Sequence, residues 1–227
     1  MKSLVKVLMV LSLAAVICLP AVASADMNVS LIYKGVVPSS PYTSIVAFGG
    51  NYNVYTGNYT IAYETDPGTI INGYCVDIQD SPPVNTPEPY VLKPIAANSA
   101  YAAAAWVLSQ GFSGTATQEG QAAVWELVWD YANGNAFSLT TGNFQLTGLS
   151  GGDFDAFKAG VQTIYDAALT ALPSFDPSGY MLAYSPIYQD FLVPNPAPLP
   201  PSLLLLGTGL VGLGFLRRRK VKDGLTA

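Results

Sequence analysis

The chain has 227 residues, a formal net charge of −5 and no histidine. Without imidazole it lacks Ser-His and Cys-His catalysis and the usual zinc sites. Its cysteines, Cys18 and Cys75, are too few for a four-thiolate metal centre, and its excess of acids disfavours nucleic acid as a partner.

Residues 1–25 read as a secretory signal. Lys2 and Lys6 form a short basic region, residues 8–19 are apolar, and Ala23-Ser24-Ala25 offers a small-residue cleavage site before Asp26. Cys18 lies in the apolar run and leaves with it. The rival is a lipoprotein cut before Cys18, but that would place Val16-Ile17 where small residues are wanted. An ectodomain follows, residues 26–193, with Cys75 as its one cysteine. Its only basic residues are Lys34, Lys93 and Lys158, while every Asp and Glu of the chain except Asp223 lies within it. Such a surface favours solubility and amine-bearing partners.

Residues 27–35 (MNVSLIYKG) and 43–64 alternate apolar and polar side chains and are rich in Val, Ile, Tyr and Thr. Gly49-Gly50 and Thr56-Gly57-Asn58 punctuate them, so they read as antiparallel strands. A short strand is predicted at 73–78 and a Pro-rich loop at 81–89. Residues 98–110 are alanine-rich, with Asn98 or Ser99 as N-cap and Gly111 past the end, and predict a closely packed helix. A second helix is predicted at 117–132, a Gly/Thr/Ser loop at 133–152, and a third helix at 153–172, stopped by Pro173. Residues 179–193 return to strand character. Strands, then helices, then a closing strand make an α+β fold: antiparallel strands packed with a small bundle of about three helices.

On the second helix Gln121, Val124, Trp125 and Val128 share one face, while Glu126 and Asp130 are expected to point to solvent. A glutamine on an apolar face needs partners or a reason. Cys75 is expected to be inward-facing or half-buried. On residues alone it is an inert core residue, half of a reactive pair, or, if exposed, the site of a disulfide to another chain.

Tyr74-Cys75-Val76-Asp77, the AAAAWVL of residues 102–108 and Gln121-Ala122-Ala123-Val124-Trp125-Glu126 resemble the thioester domains of bacterial surface proteins. In that family an aromatic-Cys motif and a Gln-x-x-hydrophobic-Trp motif supply the halves of an internal thioester. The resemblance implies that Cys75 is the thiol and Gln121 the acyl partner; Gln118 competes but has no Trp four residues on. It implies covalent capture of amine-bearing surface or matrix molecules rather than enzymatic turnover, with no cofactor and no metal. A thioester must be kept from water, and Tyr74, Trp106, Trp125 and Trp129 are the expected shields. Asp77 shares a strand face with Cys75 by the period-2 count and is the nearest base on offer.

At the other end, the Pro-rich linker 194–201 leads into an apolar run, 199–216, long enough to span a bilayer. Arg217, Arg218, Arg219 and Lys220 follow and would stay on the cytoplasmic side. Pro194-Asn195-Pro196, the Leu/Gly-rich run and the basic cluster resemble the PEP-CTERM sorting signal, here 199–220, with Asn195 where glutamate is usual. That resemblance implies processing by an exosortase-like enzyme and transient residence in the inner membrane. The destination is then the cell surface or extracellular matrix of a Gram-negative-type bacterium. The alternatives are a plain membrane anchor for the tail and, for the whole chain, a structural biofilm-matrix protein with an inert cysteine.

Both ends are open to one measurement. Peptide mapping of protein recovered from the cell surface should begin at Asp26 and lack peptides from 203–216. A lipidated Cys18 would make the chain a lipoprotein, and retained 203–216 peptides would leave the tail an anchor.

Overall fold

A computed structural model describes residues 26–37, 42–78, 81–148 and 151–196. The expected signal peptide, the apolar tail and Arg217, Arg218 and Arg219 lie outside the described residues. Among the described residues no helix is long and apolar enough to cross a membrane. One compact unit extends to Val193.

The fold is α+β, as the element order predicts. Its first four strands are β1 (Met27–Val37), β2 (Tyr42–Ala47), β3 (Gly50–Tyr55) and β4 (Asn58–Tyr63). They follow the alternating pattern, and the turns fall at Phe48-Gly49 and Thr56-Gly57. β5 (Asp66–Cys75) starts earlier than its sequence signal and ends earlier, on Cys75. Residues 66–70 are exposed throughout, so no apolar alternation marks them.

The predicted Pro-rich loop is in part a strand, β6 (Pro87–Pro94). Pairing of β6 with β8 (Tyr180–Tyr184) begins only at Val91, and its pairing with β1 ends at Leu92. Pro87 and Pro89 therefore lie where β8 has not begun, and Pro94 where β1 has ended. A missing N–H is tolerated at such positions. The predicted loop at 133–152 contains β7 (Phe144–Leu146), and the closing segment is two strands, β8 and β9 (Phe191–Pro194). The break between them is a polar turn: the Ser185 N–H donates to Asp190 Oδ1 at 2.7 Å, and Ser185 Oγ accepts from the Tyr188 N–H at 3.1 Å.

Six strands close a barrel in the order β1-β4-β5-β9-β8-β6, and β2 lies between β3 and β7 in a separate sheet. Rings from non-neighbouring strands meet inside the barrel. Tyr33 on β1 faces Phe191 on β9 at 6.3 Å, and Tyr90 on β6 faces Phe191 at 5.9 Å.

Three helices pack on one another: α1 (Ala100–Ser109), α2 (Thr115–Trp125) and α3 (Gly151–Ala171). Ser99 caps α1, its side chain accepting from the Ala102 N–H. Ala102 to Ala105 are fully buried, and α1 and α2 both approach β5. α2 does not continue as an α-helix to residue 132. It passes into a π-helical turn, Glu126–Asp130, and then a 3-10 turn, Tyr131–Asn133.

The barrel depends on close approach at Gly73. A Cβ there would stand 2.7 Å from the Leu192 carbonyl oxygen, with Ile61 and Val193 methyls at 3.3 Å. Backbone cannot swing aside as a side chain can. Gly73→Ala should therefore lower stability by about 1–3 kcal/mol through overpacking, read as a lower urea midpoint. An unchanged midpoint would mean that β5 and β9 can separate freely.

Candidate functional site

β5 ends with an incomplete edge. Its pairing with β4 stops at Tyr59↔Gly73, whereas on its other side Tyr74 pairs Leu192 and Cys75 pairs Phe191. The Val76 N–H bonds the Asp190 carbonyl at 3.1 Å. In an antiparallel ladder, successive residues turn their N–H and C=O to opposite sides. Cys75 thus directs both groups away from β9, beyond the end of β4.

The Gln121 side chain fills that place. The Cys75 N–H donates to Gln121 Oε1 at 3.0 Å, and Gln121 Nε2 donates to the Cys75 carbonyl at 2.7 Å. The reciprocal pair also fixes which end of the amide is oxygen, since each backbone group accepts only one arrangement. Both residues are 0% exposed. The structure therefore brings Cys75 together with Gln121; Gln118 lies a turn earlier, half-buried. Full burial of Cys75 removes the reading in which it forms a disulfide to another chain.

The sulfur is surrounded by specific groups. The thiol donates to the Asp77 carbonyl at 2.7 Å, and the Tyr59 hydroxyl hydrogen-bonds the sulfur. Burial pushes the thiol's pKa up, and the Asp77 charge adds to this; the Asp77 backbone, Tyr59 and Trp125 pull the other way. Trp125 acts on the sulfur by proximity, yet its N–H meets no acceptor within hydrogen-bonding geometry. The donor stands close to the sulfur but unaligned, because its ring orientation is set by packing on Trp129 and Phe144. Asp77, expected as the nearest base, acts here as a charge that opposes the thiolate.

The expected shields occupy different places. Trp125 and Trp129 stack at 5.5 Å, with Phe144 tilted against Trp125 at 5.5 Å, and Trp129 Nε1 donates to the Val76 carbonyl at 2.8 Å. Phe48, 59% exposed, lies against the outer side of Trp129 at 5.6 Å. Tyr74 points the other way, onto α2, where a Cβ at Gly120 would meet its hydroxyl at 2.5 Å. Trp106 is half-buried on α1 and packs against the core. Tyr59, Phe144 and Phe191 were not marked by the sequence; their approach follows from strand register, which no local pattern encodes.

Comparison with known proteins finds no family model, no functionally described protein and no solved structure that matches the chain. Among the described residues no group of three Cys, Asp or Glu side chains could hold a metal ion.

One expectation is overturned. Glu126 and Asp130 do not face solvent: they are 0% and 1% exposed. Every residue from Gln121 to Asp130 is buried, because α3, β7 and the loop before β7 cover the side of the helix that periodicity assigns to water. Asp130 accepts from the Asn143 N–H at 2.7 Å, the Phe144 N–H at 2.9 Å and Asn135 Nδ2 at 2.7 Å, and so organises that loop. Both Glu126 carboxyl oxygens lack a partner. The Ser138 backbone favours the charged form slightly but makes no aligned hydrogen bond. Burial, then the Asp130 charge, raises the Glu126 pKa to about 8.

This shift has a sign. Between its ordinary 4.5 and about 8 the unfolded chain has released a proton that the native state keeps. Glu126 therefore makes stability fall as pH rises through that window, with a slope approaching about 1.4 kcal/mol per pH unit. Urea unfolding at pH 5, 6, 7 and 8 should show wild type losing stability relative to Glu126→Gln. Parallel pH profiles for the two proteins would place the native carboxyl's titration in the ordinary range.

Proposed function

We propose that the chain is an exported surface or matrix protein that attaches covalently to amine-bearing partners through an internal thioester between Cys75 and Gln121. The observation that carries this reading is the buried, reciprocal pairing of the two residues. The Cys75 N–H, held on Gln121 Oε1, polarises the side-chain carbonyl and is placed to stabilise negative charge developing on that oxygen. The Cys75 carbonyl holds the nitrogen that must leave. Nucleophile, polarising donor and leaving-group acceptor thus belong to one residue, and proximity favours the step.

The reaction balances without a cofactor. Cys75 Sγ attacks Gln121 Cδ, the Cδ–Nε2 bond breaks, the thiol proton passes to the departing nitrogen, and ammonia leaves. A primary amine then attacks the thioester carbonyl, its nitrogen forms a stable amide to Gln121, and a proton returns to the sulfur. The sequence of bonds is that of covalent catalysis, but each molecule acts once. The aromatic enclosure excludes the water that would otherwise hydrolyse the bond. Delivery by an exosortase-like enzyme acting at Pro194-Asn195-Pro196 completes the reading; β9 ends on Pro194, so the motif begins on the last residue of the barrel's last strand.

A second reading rests on the same two hydrogen bonds. They satisfy the open edge of β5, and a buried thiol with a raised pKa is a poor nucleophile. On that reading the protein is a structural matrix component and the pair is inert.

Intact mass separates them. Purified mature protein carrying the thioester should be lighter than its sequence mass by one ammonia. It should resist thiol alkylation until methylamine is added, and the amine should then appear on Gln121. Cys75→Ala and Gln121→Ala should each abolish the deficit, while Gln118→Ala should keep it. Full sequence mass in wild type would hand the site to the structural reading.

A further inference from the structure

The Trp125 indole N–H is the buried unpartnered donor that stands beside Cys75. It is fully buried and has no acceptor within hydrogen-bonding geometry. A buried donor left unpaired is costly, and such groups call for a reason. Its ring is fixed on two sides, stacked on Trp129 with an interplanar angle of 19° and tilted on Phe144. It stands four residues after Gln121, one helical turn on, and so covers the same patch as the amide. The atom it approaches is the Cys75 sulfur.

Tyr59 reaches that sulfur from inside the barrel. It pairs with Gly73, two residues before Cys75, so the two side chains share a face. Its ring lies against Phe191 at 5.4 Å and Tyr33 at 6.0 Å, and its hydroxyl hydrogen-bonds the sulfur.

Resting on the thioester reading, we infer that Tyr59 and Trp125 form a two-donor cradle for the Cys75 sulfur. It stabilises the thiolate both as it attacks Gln121 and as it leaves on capture of an amine. In the first step the S–Cδ bond forms and ammonia departs with the thiol proton. In the second the S–Cδ bond breaks as the amide forms, and the amine's proton ends on sulfur. In both, negative charge appears on sulfur in a fully buried site without histidine. The hydroxyl and the indole N–H are already in place, so they need no reorganisation as charge develops. The Trp125 N–H, unaligned on the resting thiol, gains a charged acceptor only near the transition state, which is where an interaction raises rate. The cradle works against both burial and the Asp77 carboxylate.

The sign of two substitutions decides this. Tyr59→Phe removes one hydroxyl, and Trp125→Phe removes the N–H along with part of the shield. Loss of one hydrogen bond to a charged group should slow the chemistry by about ten- to a hundredfold. Time-resolved intact mass would follow ammonia loss after refolding and methylamine uptake once the bond has formed, with circular dichroism reporting the fold. If the two residues merely shield, Trp125→Phe should speed methylamine uptake and hydrolysis, and Tyr59→Phe should change neither. Uptake at or above the wild-type rate in Tyr59→Phe overturns the cradle and leaves the thioester standing. If Trp125→Phe does not fold, Tyr59→Phe alone decides. Wild type without the mass deficit removes the thioester and the cradle together.

Discussion

The structure depends at one point on a strand that loses its neighbour before it ends. β4 stops pairing with β5 at Gly73, yet the chain must carry the Cys75 N–H and C=O into a buried interior. Unpaired backbone groups there would cost about 1–3 kcal/mol each. The primary amide of Gln121 presents one acceptor and one donor, as a peptide group does, and takes the missing strand's place. The Cys75 N–H and C=O, its sulfur and the carbonyl of Gln121 are thereby held in one place by the requirements of folding. Any chemistry between the two residues starts from a geometry that the fold needs for its own reasons.

Desolvation then sets the character of the site. The same burial that would protect a thioester from water makes a thiolate hard to form, and no histidine exists to take the proton. What remains are neutral donors whose positions are fixed by aromatic packing: Tyr59 among the barrel rings and Trp125 in the stack with Trp129 and Phe144. Trp129 ties the stack to the strand end through its bond to the Val76 carbonyl. The packing that encloses the sulfur is thus also what orients the polar groups around it.

The π-helical turn links this site to the rest of the domain. Glu126–Asp130 follows directly on the α-helix that carries Gln121 and Trp125. A π-turn is costly and tends to mark functional positions. Here it holds Trp129 on β5's end while Asp130 gathers the backbone of the loop before β7. Glu126, buried beside it without a partner, is a destabilising element in a strongly acidic domain, and protonation relieves it.

The sequence by itself determined the α+β class, the strands of residues 43–64 and the helix at 100–109, because alternation and the alanine and capping signals around 99–110 are local. It also marked Gln121 and Cys75 as residues in need of an explanation, since an amide on an apolar face and a single thiol in residues 26–193 are anomalies of composition. It did not determine β6, whose prolines read as loop until its neighbours on either side are known. Nor did it determine the burial of Glu126 and Asp130, because periodicity identifies one apolar face and says nothing of what covers the other. Only the tertiary structure decided that β4 stops pairing two residues short of Cys75, and hence that an amide from a helix 46 positions away must complete the strand. Register and closure are properties of many strands together, and no single stretch of chain carries them.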